Sequence, residues 1–147
     1  MTVKLPELWL QYASDDLKSA KVLLAEGVYN IACFHAQQAV EKLFKAFIAA
    51  YDQPIPRIHN LIRLHKICED LFGEKIEIDN EKIILLNDVY IDSRYPADFG
   101  VLPSGQPGEQ EANMALLNSG FYLLKFSDYF QTSSYFQINF IRGLYIT

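Results

Sequence analysis

The stretch Phe34 to Phe47, FHAQQAVEKLFKAF, limits the possible folds more than any other part of the chain. On a helix advancing about 100° per residue, Ala32, Cys33, Ala36, Val40, Leu43, Phe44, Ala46 and Phe47 share one broad face. His35, Gln38, Glu41, Lys42 and Lys45 gather on the other. The apolar arc exceeds half the circumference, wider than a single packing neighbour requires. Such a helix belongs at the centre of a fold, touching several partners at once. Gln37 breaks the division by projecting between Phe44 and Ile48 on the edge of the arc. Unpaired burial of an amide costs about 1–3 kcal/mol, so Gln37 is expected to hydrogen-bond something there, a structural partner ahead of a ligand.

Other amphipathic segments flank this one. Pro6 suits a first helical turn, and Trp9, Ala13, Leu17, Ala20 and Leu24 then recur at helical spacing until Gly27. The second helix is predicted over about Asn30 to Tyr51, ending where Asp52-Gln53-Pro54-Ile55-Pro56 forbids continuation. A third, shorter helix is predicted over roughly Asn60 to Phe72, with Leu61, Leu64, Ile67, Cys68 and Leu71 inward and Gly73 after it. Its polar face carries Arg63, Lys66 and Asp70. Asp79 or Asn80 can cap a fourth helix through Val89 and Tyr90, whose pattern breaks at Ser93-Arg94-Tyr95-Pro96. A Pro/Gly-rich loop follows, of a length that often marks functional or mobile segments. From Glu109 a fifth helix places Ala112, Leu116, Ser119, Leu123, Phe126 and Phe130 on one face.

These elements predict an all-α class: an antiparallel up-and-down bundle of four main helices with one short extra helix. Residues 1–131 are expected to form a single bundle. The tail TSSYFQINFIRGLYIT, residues 132–147, is apolar without a helical period. It fits a helix extension, a strand, a dimer cover or a cloning remnant.

A chain of 147 residues, 50% hydrophobic and 21% charged, suffices for one cored domain. Its net charge of -5 argues against holding nucleic acid by bulk electrostatics. No apolar run approaches the ~20 residues of a membrane helix, so a soluble, cytoplasmic protein without membrane contact is expected. Cys33 and Cys68 fall on apolar stripes as small buried hydrophobes. Neither a Cys/His cluster with metal spacing nor a Gly-rich phosphate loop is present, so no metal or cofactor is expected.

Three ordered stretches resemble one family. Trp9 with Ala13, Asp16-Leu17, Ala20 and Leu24 comes first, then Tyr29-Asn30-Ile31-Ala32 followed by Gln37-Gln38-Ala39-Val40-Glu41-Lys42 and Lys45-Ala46. Ile58-His59-Asn60-Leu61, Tyr90 and Ser93-Arg94-Tyr95-Pro96 complete the set. Over about residues 5 to 130 the chain is similar to the HEPN family. The resemblance implies a helical bundle, commonly a homodimer, encoded beside a minimal nucleotidyltransferase in toxin–antitoxin or defence pairs. Many members are metal-independent ribonucleases using an Arg and a His separated by four to six residues. Arg94 matches that arginine, but the matching positions hold Phe99, Gly100 and Val101. His35, His59 and His65 all lie upstream. Without an imidazole there to move a 2′-hydroxyl proton, no ribonuclease activity is expected.

The candidate ligand residues are Arg94, Tyr95, Gln37, Gln38, Glu41, Lys42, Lys45 and His35. Arg94, with Tyr95 beside it, can fork onto a phosphate, or it can anchor the loop by pairing with Glu41 or capping helix-four carbonyls. His35, Gln38, Lys42 and Lys45 share a face that suits RNA or a nucleotide, or equally a solvated surface or dimer rim. His59 is expected to cap or pack at the start of the third helix, and His65 to pack on an apolar edge. The leading expectation is a non-catalytic homodimer that binds a nucleotidyltransferase partner or a nucleotide. The alternative is an atypical ribonuclease toxin or an RNA-binding module.

Overall fold

The computed structural model describes residues 5–76, 79–94 and 106–131. Five helices follow one another: α1 Leu5–Ala25, α2 Tyr29–Ala50, α3 Leu61–Phe72, α4 Asn80–Arg94 and α5 Glu109–Gln131. No strand occurs among the described residues. The arrangement is the expected up-and-down bundle, with α3 the short extra helix. No helix there is long and apolar enough to cross a membrane.

Helix α1 turns back into α2 through a three-residue link. Gly27 has a left-handed φ of 78°, and its N–H donates to the Leu24 carbonyl at 3.1 Å while Val28 N–H donates to Leu23 at 2.9 Å. This pair of bonds ends α1 and reverses the chain sharply, so α1 and α2 pack side by side along most of their lengths. Helix α2 ends by the same device at Asp52, whose φ of 55° is left-handed without being glycine. Asp52 N–H donates to Ala49 and Gln53 N–H to Ile48, at 3.0 and 3.4 Å.

Helix α2 is central, touching all four other helices. Every apolar position of its predicted arc is buried, together with Ala39, Ile48 and Ala49. Phe44 and Phe47 meet Phe126 of α5 with ring centroids 5.1 and 5.6 Å apart, and Tyr122 lies 6.3 Å from Phe44. The Tyr122 hydroxyl donates to the Asp79 carbonyl at 3.0 Å, tying α5 to the start of α4. Burial first, and the charge of Asp79 second, push that phenol above its ordinary range.

Asn60 caps α3, its side chain accepting from Arg63 N–H at 3.1 Å, and Asp79 plays the same part for α4 by accepting from Glu81 N–H at 3.0 Å. Helix α4 runs one turn past Tyr90, so Ser93 and Arg94 are helical rather than the start of the loop. Trp9 is half-buried at the rim while Leu10 takes the inner position. The Pro/Gly-rich residues 95–105 and the tail 132–147 lie outside the described residues.

Candidate functional site

The polar side of α2 faces protein rather than solvent, and it is divided into two clusters. In the first, Asp16 of α1 shares its carboxylate between His35 Nδ1, at 2.7 Å, and Lys42 Nζ. His35 and Lys42 sit two turns apart on α2, so one carboxylate from the antiparallel neighbour reaches both. Lys42 Nζ also lies 5.9 Å from the centre of the Tyr12 ring.

The second cluster centres on Glu41, only 3% exposed. Lys45 Nζ, one turn on and 6% exposed, donates to Oε1 at 2.8 Å. Gln38 Nε2 donates to Oε2 at 3.1 Å, and His59 Nδ1 reaches the two oxygens at 3.1 and 3.3 Å. Lys45 Nζ lies 5.7 Å from the centre of the Trp9 ring. The expectation of a solvated or rim face does not hold for Lys45, because α1 covers the polar side of α2 as well as the apolar side. Gln37, fully buried, donates from Nε2 to the His59 carbonyl at 3.0 Å and accepts from Gln38 Nε2 at 2.8 Å. The structural hydrogen bond expected of Gln37 is present, and its partner belongs to another segment.

His59 is the residue whose position sequence reasoning undervalued. Gln37 holds its backbone and Glu41 its ring, and two residues further on Leu61 donates its N–H to Asn87 Oδ1 of α4 at 3.0 Å. The side chain is nevertheless 61% exposed. With Nδ1 facing Glu41, Nε2 is the ring nitrogen on the side away from that carboxylate. The Tyr90 ring lies 6.4 Å from the His59 ring at 29°, and Phe34 lies 5.8 Å beyond at 19° to Tyr90. Arg94 closes α4 one turn after Tyr90. Its side chain, and the whole of Tyr95, fall outside the described residues. A signal for His59 was available: a glutamine and a glutamate one turn apart on α2 need a common partner from another segment. His65 packs as expected, 6.2 Å from Phe44, with Nε2 3.0 Å from the Ile76 carbonyl.

Nucleophilic or metal chemistry finds little support elsewhere. Both cysteines are free and buried. Burial, reinforced by Glu111, pushes the Cys33 thiol up to about 12, and burial raises Cys68 as well. Among the described residues no group of three metal-ligating side chains converges. An open groove of about 680 Å³ bordered by His65, Lys75, Phe121 and Lys125 contains none of the candidate residues.

An all-helical bundle with a polar seam built along its central helix is the class these features define. The HEPN domain family model matches residues 6–120, and the chain belongs to this family. It is similar to "Putative toxin MJ1304" of Methanocaldococcus jannaschii, with 35% identity over 104 residues, 66% of this chain and 67% of that protein. The crystal structure of TT1696 from Thermus thermophilus has the same fold, with a TM-score of 0.64. At 24% identity, that likeness covers 97% of this chain and 99% of the other.

Proposed function

We propose that this chain is the HEPN member of a toxin–antitoxin-type pair, a homodimer that engages a minimal nucleotidyltransferase and binds a nucleotide or RNA without cleaving it. The toxin-type setting is supported by the name of the Methanocaldococcus relative. The absence of catalysis rests on one observation: Phe99, Gly100 and Val101 stand where the family's ribonucleases have histidine. Self-association is supported by α5, whose Met114, Leu117, Phe121 and Leu124 form an exposed apolar stripe at helical spacing.

Co-purification from the native host tests the reading directly. A nucleotidyltransferase retained with the chain supports it, and capture of no such protein overturns the partnership. A second reading, an atypical ribonuclease, is favoured by the exposed His59 imidazole pinned to a buried carboxylate. RNA cleaved in excess EDTA by the wild type and left intact by Arg94→Ala would establish that reading instead.

A further inference from the structure

We infer that the groove between α3 and α5 docks an acidic peptide segment of a second protein, with Lys75 and Lys125 pairing to its carboxylates and an apolar side chain seated on Ile62 and Phe121. All four residues line this groove of about 680 Å³. It shares no residue with the polar clusters on α2, and it stands whether or not a nucleotidyltransferase is retained with the chain.

Hydrogen bonds fix its walls. The link after α3 is held at both backbone groups of Ile76, whose N–H donates to Glu69 Oε2 at 2.9 Å and whose carbonyl accepts from His65 Nε2 at 3.0 Å. On the other side the Tyr122 hydroxyl joins α5 to the start of α4. A surface held in this way needs little ordering when a partner binds. Ile62 and Phe121 are 45% and 36% exposed, so the groove offers apolar area as well as charge.

Charge decides the occupant. Four of the nine lysines of this acidic chain, Lys66, Lys75, Lys82 and Lys125, border the groove or the Phe121 ring. Lys66 pairs with Asp70 at 3.1 Å and Lys82 with Asp79 at 3.2 Å, whereas Lys75 and Lys125 have no carboxylate partner among the described residues. The Lys125 ammonium instead lies 5.5 Å from the centre of the Phe121 ring. The carboxylates of the groove itself are committed: Glu69 accepts from Ile76 N–H, and Asp79 accepts from Glu81 N–H as well as from Lys82. Two unpaired ammonium groups beside apolar side chains suit carboxylates spaced along a peptide. A nucleic acid strand would instead bring a phosphate at every step against Glu69, Asp70 and Asp79, in a chain of net charge -5. The tail of the chain, residues 132–147, holds no Asp or Glu and one Arg, so it cannot supply the carboxylates. Exposed ion pairs of this kind select a partner more than they hold it, and the apolar contact supplies most of the affinity.

Selection of random dodecapeptides displayed on phage against the full chain, followed by fluorescence anisotropy with the best peptide synthesised, tests the site. Enriched peptides should carry Asp or Glu within a few residues of Leu, Ile, Phe or Tyr. Lys75→Glu combined with Lys125→Glu should weaken binding at least tenfold with helicity unchanged, and Lys75→Ala, a milder change at an exposed position, should weaken it in the same direction. Lys18→Glu, on the exposed face of α1, should leave affinity as in the wild type. The same peptide with its acidic residues replaced by Lys should prefer the double variant over the wild type, a swap that a merely distorted groove does not produce. Enrichment of uncharged or basic peptides alone, no enrichment, or undiminished affinity in the double variant overturns the inference. Oligouridylate RNA that displaces the peptide makes the groove a nucleic-acid surface and overturns it too, as does a double variant that loses the self-association of the wild type, which makes a second copy the occupant.

Discussion

Glu41 holds together groups from two segments, since Lys45 and Gln38 come from its own helix and His59 from the connector before α3. A buried ion pair adds little net stability, yet removing one partner strands the other charge. Glu41→Ala leaves the nearly buried Lys45 ammonium without its carboxylate, and a loss of about 3–5 kcal/mol in urea unfolding is expected. Replacing both residues, Glu41→Leu with Lys45→Met, should recover much of that loss. An unchanged unfolding midpoint in Glu41→Ala would mean that the pair contributes nothing. The cysteines give a second residue-scale effect. A thiol ordinarily ionises near 9, whereas Cys33 in the fold holds its proton to about 12. Between those values the unfolded chain binds fewer protons than the folded one, so stability falls as pH rises through this window. Denaturation at pH 8 and pH 10.5 should show the decline, and Cys33→Ala should reduce it. Alkylation of either cysteine in the native protein at pH 8 should be slow.

Among the elements, the end of α2 stores an avoidable cost. Asp52 adopts the left-handed conformation that Gly27 occupies at the end of α1, with the same pair of capping hydrogen bonds. A residue with a Cβ pays roughly 1 kcal/mol there, reduced for aspartate by its tolerance of this region. Asp52→Gly should therefore raise the melting temperature slightly, and a fall would show that the side chain supports the turn. The start of α3 behaves in the opposite sense. Asn60 accepts from Arg63 N–H, so Asn60→Ala is expected to cost about 1 kcal/mol.

For the whole molecule, the question is what covers α5. Leu117 is 73% exposed, between Met114 and Phe121 on a stripe that continues to Leu124. If two copies pair through this face, Leu117→Lys should yield a monomer by light scattering without loss of helicity. A wild type that is monomeric at all concentrations would remove the homodimer from the proposal. Local periodicity made most of the fold legible. The apolar arc of α2, the repeat on α1 and the stop signals at Gly27, Pro54 and Gly73 all depend on residues within a few turns of each other, and each helix appears where these place it. Trp9 shows the limit of this reasoning, because the repeat puts it on the inner face but cannot say that Leu10 goes deeper. The site was legible only in part. Its α2 residues were visible as a polar face, and the partner expected for Gln37 exists. Their partners, however, are 19 residues from His35, 26 from Lys42 and 18 from Glu41. Such pairings depend on how far each helix slides and rotates against the next. An apolar stripe tolerates a shift of a turn, while a hydrogen bond of about 3 Å does not, so side-chain chemistry and spacing named the polar groups, and interhelical packing alone selected which of them would meet.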